Sequence, residues 1–386
     1  MRFAASGCPG LAQRARAELP APKKHVCFVA PLAWPVLSRD ARIEVVGGAE
    51  VQQSILARLF AAHGHKVSMI TLDYGQPDAS RIDGVTVHKA FAPGAGLPFV
   101  RFLHPKLTAM WAALGRADAD VYYVRAASMW LWLATEFCRR HGRRSVYAGA
   151  SDKDFEPDVG DQLRIARDRW LYRRGLAAAD AIVAQNERQR DSCRANYARE
   201  AVVIPSCYEL PANRNAPGSQ DCVLWVGMVQ EGKRPGLFLE LAERMPGRRF
   251  VMIGGPRPGA QAFYERIRAQ AARLPNLELT GFLPLAEVEP WFDRARVLVN
   301  TSLYEGMPNT FLQAWARGVP AVATVDAGAA IVFPDAAQGA AEIERLFTDE
   351  AHWRAKSAAC RAYFETRHST QSVLEQYGRV FEEIAA

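Results

Sequence analysis

Residues 300–324, NTSLYEGMPNTFLQAWARGVPAVAT, determine how the rest of the chain is interpreted. This stretch follows a run of β-branched residues, turns at Glu305 and Gly306, and carries Pro308 where a helix can begin. Gly318 is placed to end that helix. The pattern predicts a strand, a loop and a helix in succession, with a carboxylate on the loop.

Polar groups of this loop and helix start can converge on one ligand. The backbone amides of Met307, Asn309 and Thr310 lie at the predicted helix start, where they can donate to an anionic group. One turn deeper, Gln313 can face the same crevice. A nucleotide-linked sugar needs such an arrangement, with Glu305 accepting from sugar hydroxyls and the amides facing a diphosphate. The alternative is a helix-capping loop with a solvent-exposed Glu305.

The chain on both sides of this stretch alternates short apolar runs with longer helical patterns, which predicts parallel strands joined by helices. Seven candidate strands come first, at 25–31, 66–72, 85–91, 120–126, 144–150, 180–185 and 201–205. Five more follow, at 222–228, 249–255, 277–282, 296–302 and 320–325. Between the two groups, residues 211–220 have two prolines and no periodic pattern, which indicates a domain boundary.

We therefore expect an α/β protein with two Rossmann-like domains that face each other across a cleft. Residues 1–23 are expected to form a flexible extension, and residues 24–210 an N-terminal acceptor-binding domain. Residues 211–370 would form a C-terminal domain that binds the nucleotide. A final helix, 371–386, can pack back on the N-terminal domain. Ligands of such sheets bind beyond the carboxyl ends of the strands, so residues that follow strands are the candidates for function.

Composition and charge limit the class of protein. With 49% hydrophobic and 23% charged residues, the chain has the composition of a folded globular protein. Its seven cysteines are scattered and lack metal-ligand spacing, which indicates reduced thiols. No apolar run reaches the ~18 residues of a membrane-spanning helix. The start of the chain lacks an apolar segment of signal-peptide length, so a cytoplasmic location is expected.

Positive charge is concentrated in the first half. Residues 1–210 contain 29 Lys and Arg against 21 Asp and Glu, whereas residues 211–386 contain 19 against 20. Residues 164–174, RIARDRWLYRR, interleave arginines with Trp170, Leu171 and Tyr172. This segment predicts peripheral contact with an anionic membrane. The alternative is an amphipathic core helix with a charged outer face, and no nucleic-acid partner is expected.

Two further segments suit phosphate binding. Lys233 lies on the loop after the first strand of the second group, where a lysine can neutralise charge on a leaving diphosphate. The alternative is plain surface charge. Gly47 and Gly48 open a helix and allow close backbone approach to a ligand, although two glycines before a helix are weak evidence alone.

Together these residues resemble the retaining glycosyltransferases of family four, which are marked by a Glu, seven residues and a second Glu. Glu305 matches the first Glu, and Gln313 stands in the place of the second. Lys233 matches a lysine that the family places against the diphosphate, whereas Met228 replaces a basic residue of the family. The resemblance implies the GT-B fold, and it is strongest over residues 222–325.

The resemblance also implies roles for individual residues. Glu305 would contact the transferred sugar, and Gln313 would accept from one ribose hydroxyl and donate to the other. The expected catalytic residues are Glu305 and Lys233. The expected donor-binding residues are Gly47, Gly48, Gly227, Lys233, Gly254, Gly281, Phe282, Glu305, Gly306, Met307, Asn309, Thr310 and Gln313. The acceptor-side candidates are Glu50, Arg125 and Asp152.

The chain departs from the family where many members carry a histidine at the cleft. Arg125 and Asp152 stand in those places, so no catalytic histidine is predicted. The acidic triplets at 118–120 and 152–154 fit the DxD pattern of metal-dependent glycosyltransferases, but such triplets arise often by chance. A lone carboxylate pair on a loop is a poor metal site, so no metal and no other cofactor is expected.

The predicted function is retaining transfer of a sugar from a nucleoside diphosphate sugar to a glycan or lipid-linked glycan, as in polysaccharide biosynthesis. Retention is implied by the resemblance alone. Two alternatives stay open at this stage. One is a nucleotide-sugar epimerase of the same two-domain shape, and the other is a non-catalytic nucleotide-sugar-binding protein.

Overall fold

The computed structural model describes residues 23–39, 47–96, 100, 102–159, 163–210 and 220–385. Nearly all of the expected N-terminal extension, 1–23, lies outside these residues. The expected domain boundary at 211–220 also lies outside them, apart from Gln220.

The N-terminal domain is built on an eight-stranded sheet in the order β3-β4-β2-β1-β5-β6-β7-β8. Its strands are β1 His25–Val29, β2 Lys66–Thr71, β3 Ser80–Ile82, β4 Val85–Lys89, β5 Val121–Arg125, β6 Arg144–Ala148, β7 Ala181–Ala184 and β8 Val202–Val203. All neighbours are parallel except β3, which runs antiparallel to β4. The seven predicted strands are confirmed, and β3 is an additional edge strand.

The C-terminal domain has a six-stranded parallel sheet in the order β11-β10-β9-β12-β13-β14. Its strands are β9 Cys222–Val226, β10 Arg249–Ile253, β11 Leu277–Gly281, β12 Ala295–Asn300, β13 Ala321–Ala323 and β14 Ile331–Val332. The five predicted strands are confirmed, and β14 extends one edge. The protein therefore has the predicted α/β architecture of two Rossmann-like domains.

Helices cover both faces of each sheet. Those of the N-terminal half are α1 Trp34–Ser38, α2 Gly48–Ala62, α3 Thr108–Ala117, α4 Trp130–His141, α5 Ala166–Ala178 and α6 Glu187–Tyr197. Those that follow are α7 Pro235–Arg244, α8 Gln261–Ala271, α9 Leu285–Arg294, α10 Asn309–Trp315, α11 Ala336–Thr348, α12 Glu350–Arg367 and α13 Thr370–Glu383. Within the described ranges, no helix is long and apolar enough to cross a membrane.

The strands are apolar throughout because both faces of each sheet are covered. All five residues of β1 are buried, and the core continues into α2 through the fully buried ring of Phe60. The last helix, α13, packs on this N-terminal core. Its Tyr377 ring lies 5.6 Å from the Phe60 ring, and its hydroxyl is 3.1 Å from that of Tyr123. The chain therefore returns to its first domain after completing the second.

Each sheet has a point at which the strand order reverses. In the first sheet β1 lies between β2 and β5, and in the second β9 lies between β10 and β12. Loops diverge at such points and leave a crevice beyond the carboxyl ends of the strands. Arg125 ends β5, while the loops that carry Lys233 and Glu305 follow β9 and β12. The strand order therefore concentrates the candidate residues at these two crevices.

Candidate active site

A cleft of about 370 Å³ lies between the carboxyl edges of the two sheets. Of the residues predicted from the sequence, those that line it are Gly47, Gly48, Arg125, Gly227, Lys233, Gly254, Phe282, Glu305, Gly306, Met307, Asn309, Thr310 and Gln313. Met228 also lines it. Glu50, Asp152 and Gly281 do not.

Lys233 and Glu305 form an ion pair in this cleft. The Lys233 ammonium donates to Oε1 of Glu305, and Ser302 Oγ donates to the same oxygen at 2.6 Å. The Glu305 side chain is only 14% exposed. Its Oε2 accepts no hydrogen bond from any described residue and is left for a ligand. The alternative of a solvent-exposed Glu305 on a capping loop is therefore wrong.

The loops that carry the ion pair are bound to each other. Thr301 Oγ1 donates to the Lys233 carbonyl at 2.6 Å and accepts from Trp225 Nε1 at 3.0 Å. The amide of Leu303 donates to the Gly232 carbonyl at 3.0 Å. These bonds form because β9 and β12 are neighbours and their loops leave the sheet side by side. The ammonium and the carboxylate are therefore positioned before any ligand binds.

Two glycines, Gly254 and Gly255, let the backbone approach closely at the other end of the cleft. A Cβ atom on Gly254 would lie 1.8 Å from the Gly227 carbonyl oxygen, and one on Gly255 would lie 3.1 Å from Cβ of Phe282. Gly281 does not line the cleft, but its carbonyl oxygen accepts a hydrogen bond from the Gly254 amide at 2.9 Å. Gly281 therefore supports the cleft wall from behind, while Phe282 lines it.

The close approach at Gly254 gives a test of this wall. Gly254→Ala should destabilise the protein by ~1 to 3 kcal/mol, because the methyl group overlaps the Gly227 carbonyl and the loop must shift. Thermal unfolding would measure the loss. The matched control is Gly236→Ala in α7, where a Cβ atom meets nothing within 4 Å and a helix favours alanine. Equal stability of the two variants would contradict the assigned packing.

The two domains meet at one side of the cleft. Asn309 Nδ2 donates to the Gly48 carbonyl at 3.0 Å, and Asn309 Oδ1 accepts from Gln52 Nε2 at 2.9 Å. A Cβ atom on Gly306 would lie 2.4 Å from Oε1 of Gln185. The start of α10 therefore rests against the N-terminal domain. Gln52 and Gln185 were not predicted, since glutamines on the opposite domain carry no local sequence signal for this contact.

Glu50, an acceptor-side candidate from the sequence, does not line the cleft. Its carboxylate folds over the start of its own helix, so that a Cβ atom on Gly47 would lie 2.1 Å from its Oε2. Burial raises the pKa of Glu50, although its own backbone amide and the nearby Arg125 oppose that rise. An anion at a helix start is favourable, which explains this position. The α2 amides are therefore partly used by Glu50 itself.

Arg125 is a buried cation on the wall of the cleft. It is 7% exposed, and it donates to Tyr123 OH at 3.2 Å and to Ser206 Oγ at 3.1 Å. Its Nε has no hydrogen-bond partner among the described residues, and none of their carboxylates pairs with it. Burial lowers its pKa, but nearby groups, Tyr123 first, raise it overall. The guanidinium therefore has no hydrogen-bonded carboxylate among the described residues, although the carboxylates of Glu50 and Asp154 lie near enough to interact with its charge.

Asp152 lies outside the cleft because its side chain is held by α6. Gln189 Nε2 donates to Asp152 Oδ1 at 2.9 Å. Asp154 is fully buried and accepts from the Ala150 amide at 2.7 Å, which closes the turn Asp152–Phe155. The acids of this triplet therefore stabilise a turn. Among the described residues, no three His, Cys, Asp or Glu side chains come together as a metal site.

Gln313 lines the cleft, but its amide points to a second helix. Its Nε2 donates to Oε1 of Glu289 in α9 at 2.7 Å. One N–H of the amide is thus used by Glu289, which leaves its second N–H and its Oε1 without a partner among the described residues. Glu289 was not predicted as a site residue, because it lies on α9, which is separated from α10 by β12, and only the packing of the two helices brings it to Gln313.

Comparison with known sequences agrees with this geometry. Residues 46–210 match the sequence model described as Glycosyltransferase Family 4, and residues 220–349 match the one described as Glycosyl transferases group 1. Together the two ranges cover well over half of the chain. The chain belongs to glycosyltransferase family 4. It is accordingly a glycosyltransferase, rather than an epimerase or a binding protein without activity.

Several relatives are similar to this glycosyltransferase over most of their length. The D-inositol 3-phosphate glycosyltransferase of Mycolicibacterium smegmatis is 26% identical, with 88% of each chain covered. The protein of the same name from Geodermatophilus obscurus is 28% identical, with 76% of this chain and 73% of that one covered.

Solved structures share the fold of this glycosyltransferase. Sucrose-phosphate synthase of Thermosynechococcus elongatus superposes with a TM-score of 0.75 at 18% identity, covering 94% of this chain and 99% of that one. HepE of Anabaena, in complex with UDP and glucose, gives 0.71 at 14% identity, covering 93% and 100%. The GT-B fold is thereby confirmed.

Proposed function

We propose that this glycosyltransferase moves a sugar from a nucleoside diphosphate sugar to a hydroxyl of a glycan or lipid-linked acceptor, with retention of anomeric configuration. The observation that carries the proposal is the Lys233–Glu305 pair, held between the carboxyl edges of two sheets. The HepE structure contains UDP and glucose in a similar fold, which supports a nucleotide-linked donor.

Each donor group has a candidate partner in the cleft. Lys233 has three N–H donors, so it can hold Glu305 with one and reach a diphosphate with another. Glu305 Oε2 is free to accept from hydroxyls of the transferred sugar. The ribose would lie against Oε1 of Gln313. Phe282 and Gly254 line the part of the cleft that suits the base.

The proposed reaction uses the leaving group as the base. The acceptor oxygen bonds to the anomeric carbon while the bond from that carbon to the diphosphate breaks on the same face. The acceptor proton passes to an oxygen of the departing phosphate, and Lys233 neutralises the negative charge that grows there. Glu305 keeps Oε1 engaged with Lys233 and Ser302 and acts by binding the sugar rather than as a nucleophile.

A ligand panel tests the proposal. Nucleoside diphosphates and their sugars are added one by one, and thermal unfolding is followed; a ligand at ~100 times its dissociation constant stabilises by ~2.7 kcal/mol. The stabilising donor is then incubated with acceptors, and NMR of the product reports the anomeric configuration. Failure of every nucleoside diphosphate to stabilise the protein would contradict the proposal, and an inverted product would contradict retention.

The acceptor side of the cleft favours an anionic acceptor. Arg125 is buried there, no carboxylate of the described residues is hydrogen-bonded to it, and its Nε is left for a group of opposite charge, from which a buried cation gains most. Lipid-linked glycans meet this need through their phosphates. The relatives named D-inositol 3-phosphate glycosyltransferase also carry a phosphate in the name of their substrate. The acceptor panel should therefore pair each phosphorylated acceptor with its dephosphorylated form.

The basic segment of α5 forms an exposed surface with its neighbour in space, the turn Phe102–Leu107. Arg167 lies 3.4 Å over the Phe102 ring and joins the two segments. Leu103, Ile165 and Trp170 are 61%, 55% and 56% exposed. Leu171 and Tyr172 are buried in the core, so the prediction that they contact a membrane is wrong. We name the exposed residues Leu103, Arg164, Ile165, Arg167, Trp170 and Arg174 the α5 face.

The α5 face is proposed to bind anionic membranes peripherally, because apolar side chains and arginines share one exposed surface. In vesicle flotation, anionic lipid should recover more protein than neutral lipid, and combined Ile165→Ala and Trp170→Ala should abolish the difference. The control is Val332→Ala, an apolar residue 50% exposed on the other domain. Equal recovery with both lipids would contradict membrane binding by this face.

A further inference from the structure

Glu289 is the nearest charged partner of the residue that replaces the second Glu of the family pattern. Its Oε1 is 2.7 Å from Nε2 of Gln313. A carboxylate accepts hydrogen bonds and cannot donate them, so the atom of Gln313 that faces it must be the NH₂ group. The remaining atom, Oε1 of Gln313, is then the one left for the cleft, where the described residues offer it no donor.

The carboxylate of Glu289 is itself held in place. Its Oε2 accepts from Arg317 at 2.7 Å and from Tyr208 OH at 2.6 Å. Arg317, whose side chain is 4% exposed, also pairs with Asp293 at 2.7 Å and donates to the Gln313 carbonyl at 3.0 Å. Both oxygens of Glu289 thus accept hydrogen bonds, so the carboxylate has little freedom to turn.

Local sequence spacing builds this cluster. Glu289 and Asp293 are four residues apart in α9 and therefore share one helix face. Gln313 and Arg317 are also four apart, at the end of α10 and in the turn after it. When the two helices pack side by side, a pair of acids meets an amide and a guanidinium.

We infer that Glu289 is a positioning residue, which fixes the Gln313 amide so that a neutral acceptor oxygen faces the nucleotide. The inference rests on the proposed function, since the ligand of that oxygen is the donor ribose. It means that the family's second carboxylate cannot simply be restored at position 313. A carboxylate there would face Glu289 across a hydrogen-bond distance, with Arg317 and Tyr208 already on the far side of Glu289.

The test begins with Gln313→Glu. Two carboxylates this close cannot both ionise, so the pKa of the pair rises above the unfolded value. Stability and binding are then intact at low pH and lost as the pH increases through the raised pKa. At about pH 8 the dissociation constant for UDP should increase at least ~10-fold over wild type, and the difference should shrink at about pH 5.5. Calorimetric titration with UDP, GDP and ADP measures binding.

Exchanging the two side chains should restore the nucleotide affinity that Gln313→Glu loses. In the double variant Gln313→Glu with Glu289→Gln, the amide and the carboxylate change places, the net charge is unchanged, and the hydrogen bond can form again. Its affinity should return to within ~3-fold of wild type with a flat pH profile. Glu287→Gln, an exposed change on the same helix, is the matched control and should have no effect.

The outcomes separate this inference from the proposed function. Tight UDP binding by Gln313→Glu at about pH 8, or failure of the double variant to recover, would overturn the role of Glu289. Absence of binding by wild type to any of the three nucleotides would overturn the proposed function instead. The pairing is then still tested without ligand, because the thermal midpoint of Gln313→Glu should decrease as pH rises and that of the double variant should not.

Discussion

Lys233→Ala should lower the turnover of sugar transfer by ~100-fold. In the structure the Lys233 ammonium is held by Glu305 on a loop that is hydrogen-bonded to its neighbour, so the charge is in place before the diphosphate begins to leave. Removing it leaves the developing phosphate charge without this ammonium group. The variant should also bind free UDP more weakly, because the lysine faces the diphosphate in the free nucleotide as well. Turnover and the UDP dissociation constant are the two measurements.

Lys66→Ala is the matched control, since Lys66 is an exposed lysine at the amino end of β2, away from the carboxyl edge of the sheet. It should leave both quantities unchanged. Lys233→Arg should retain part of the activity, because the charge is kept while its position changes. Full activity in a folded Lys233→Ala protein, with folding verified by circular dichroism, would show that the diphosphate lies elsewhere.

Glu305→Ala should lower transfer at least ~10-fold, because hydroxyls of the bound sugar lose a buried acceptor worth ~1 to 3 kcal/mol. The effect should be selective. Glu305 is proposed to contact the sugar and not the nucleotide, so the affinity for free UDP should stay close to that of wild type while the affinity for the nucleotide sugar decreases. Titrations with UDP and with the donor, beside turnover, measure this contrast.

Two variants control for Glu305. Glu305→Gln keeps one acceptor oxygen and the shape of the side chain, and should lose less transfer than the alanine variant. Glu243→Ala removes an exposed carboxylate of α7 and should have no effect. A Glu305→Ala protein that lost affinity equally for UDP and for the nucleotide sugar would place the carboxylate at the nucleotide and contradict its assignment to the sugar.

The sequence predicted the central strands of both sheets well and the strands at the sheet edges poorly. Runs such as CVLWV in β9 are apolar without interruption because both faces of the strand are covered, and that pattern is visible locally. The edge strand β3, SRI, carries an arginine between two half-buried residues and has no apolar pattern to detect. The same locality explains Glu305 and Lys233, since each follows a predicted strand and the carboxyl ends of β9 and β12 lie side by side.

Side-chain direction was the part that the sequence could not supply. Glu50 and Asp152 were placed at the acceptor side by their position along the chain. In the structure Glu50 turns back over Gly47, and Asp152 is held by Gln189, 37 residues later. Arg125 does line the cleft, but its hydrogen bonds to Tyr123 and to the distant Ser206 could not be read from the sequence.

By itself the sequence determined the two α/β domains, the family, and the loop positions of Lys233 and Glu305, because apolar periodicity and residue spacing are local properties of a chain. Only the tertiary structure decided what Gln313 presents to a ligand. An amide can offer either its oxygen or its NH₂ group, and the choice depends on the neighbour it meets. That neighbour, Glu289, is 24 residues earlier and on another helix, so the packing of α9 against α10 fixes which atom faces the cleft.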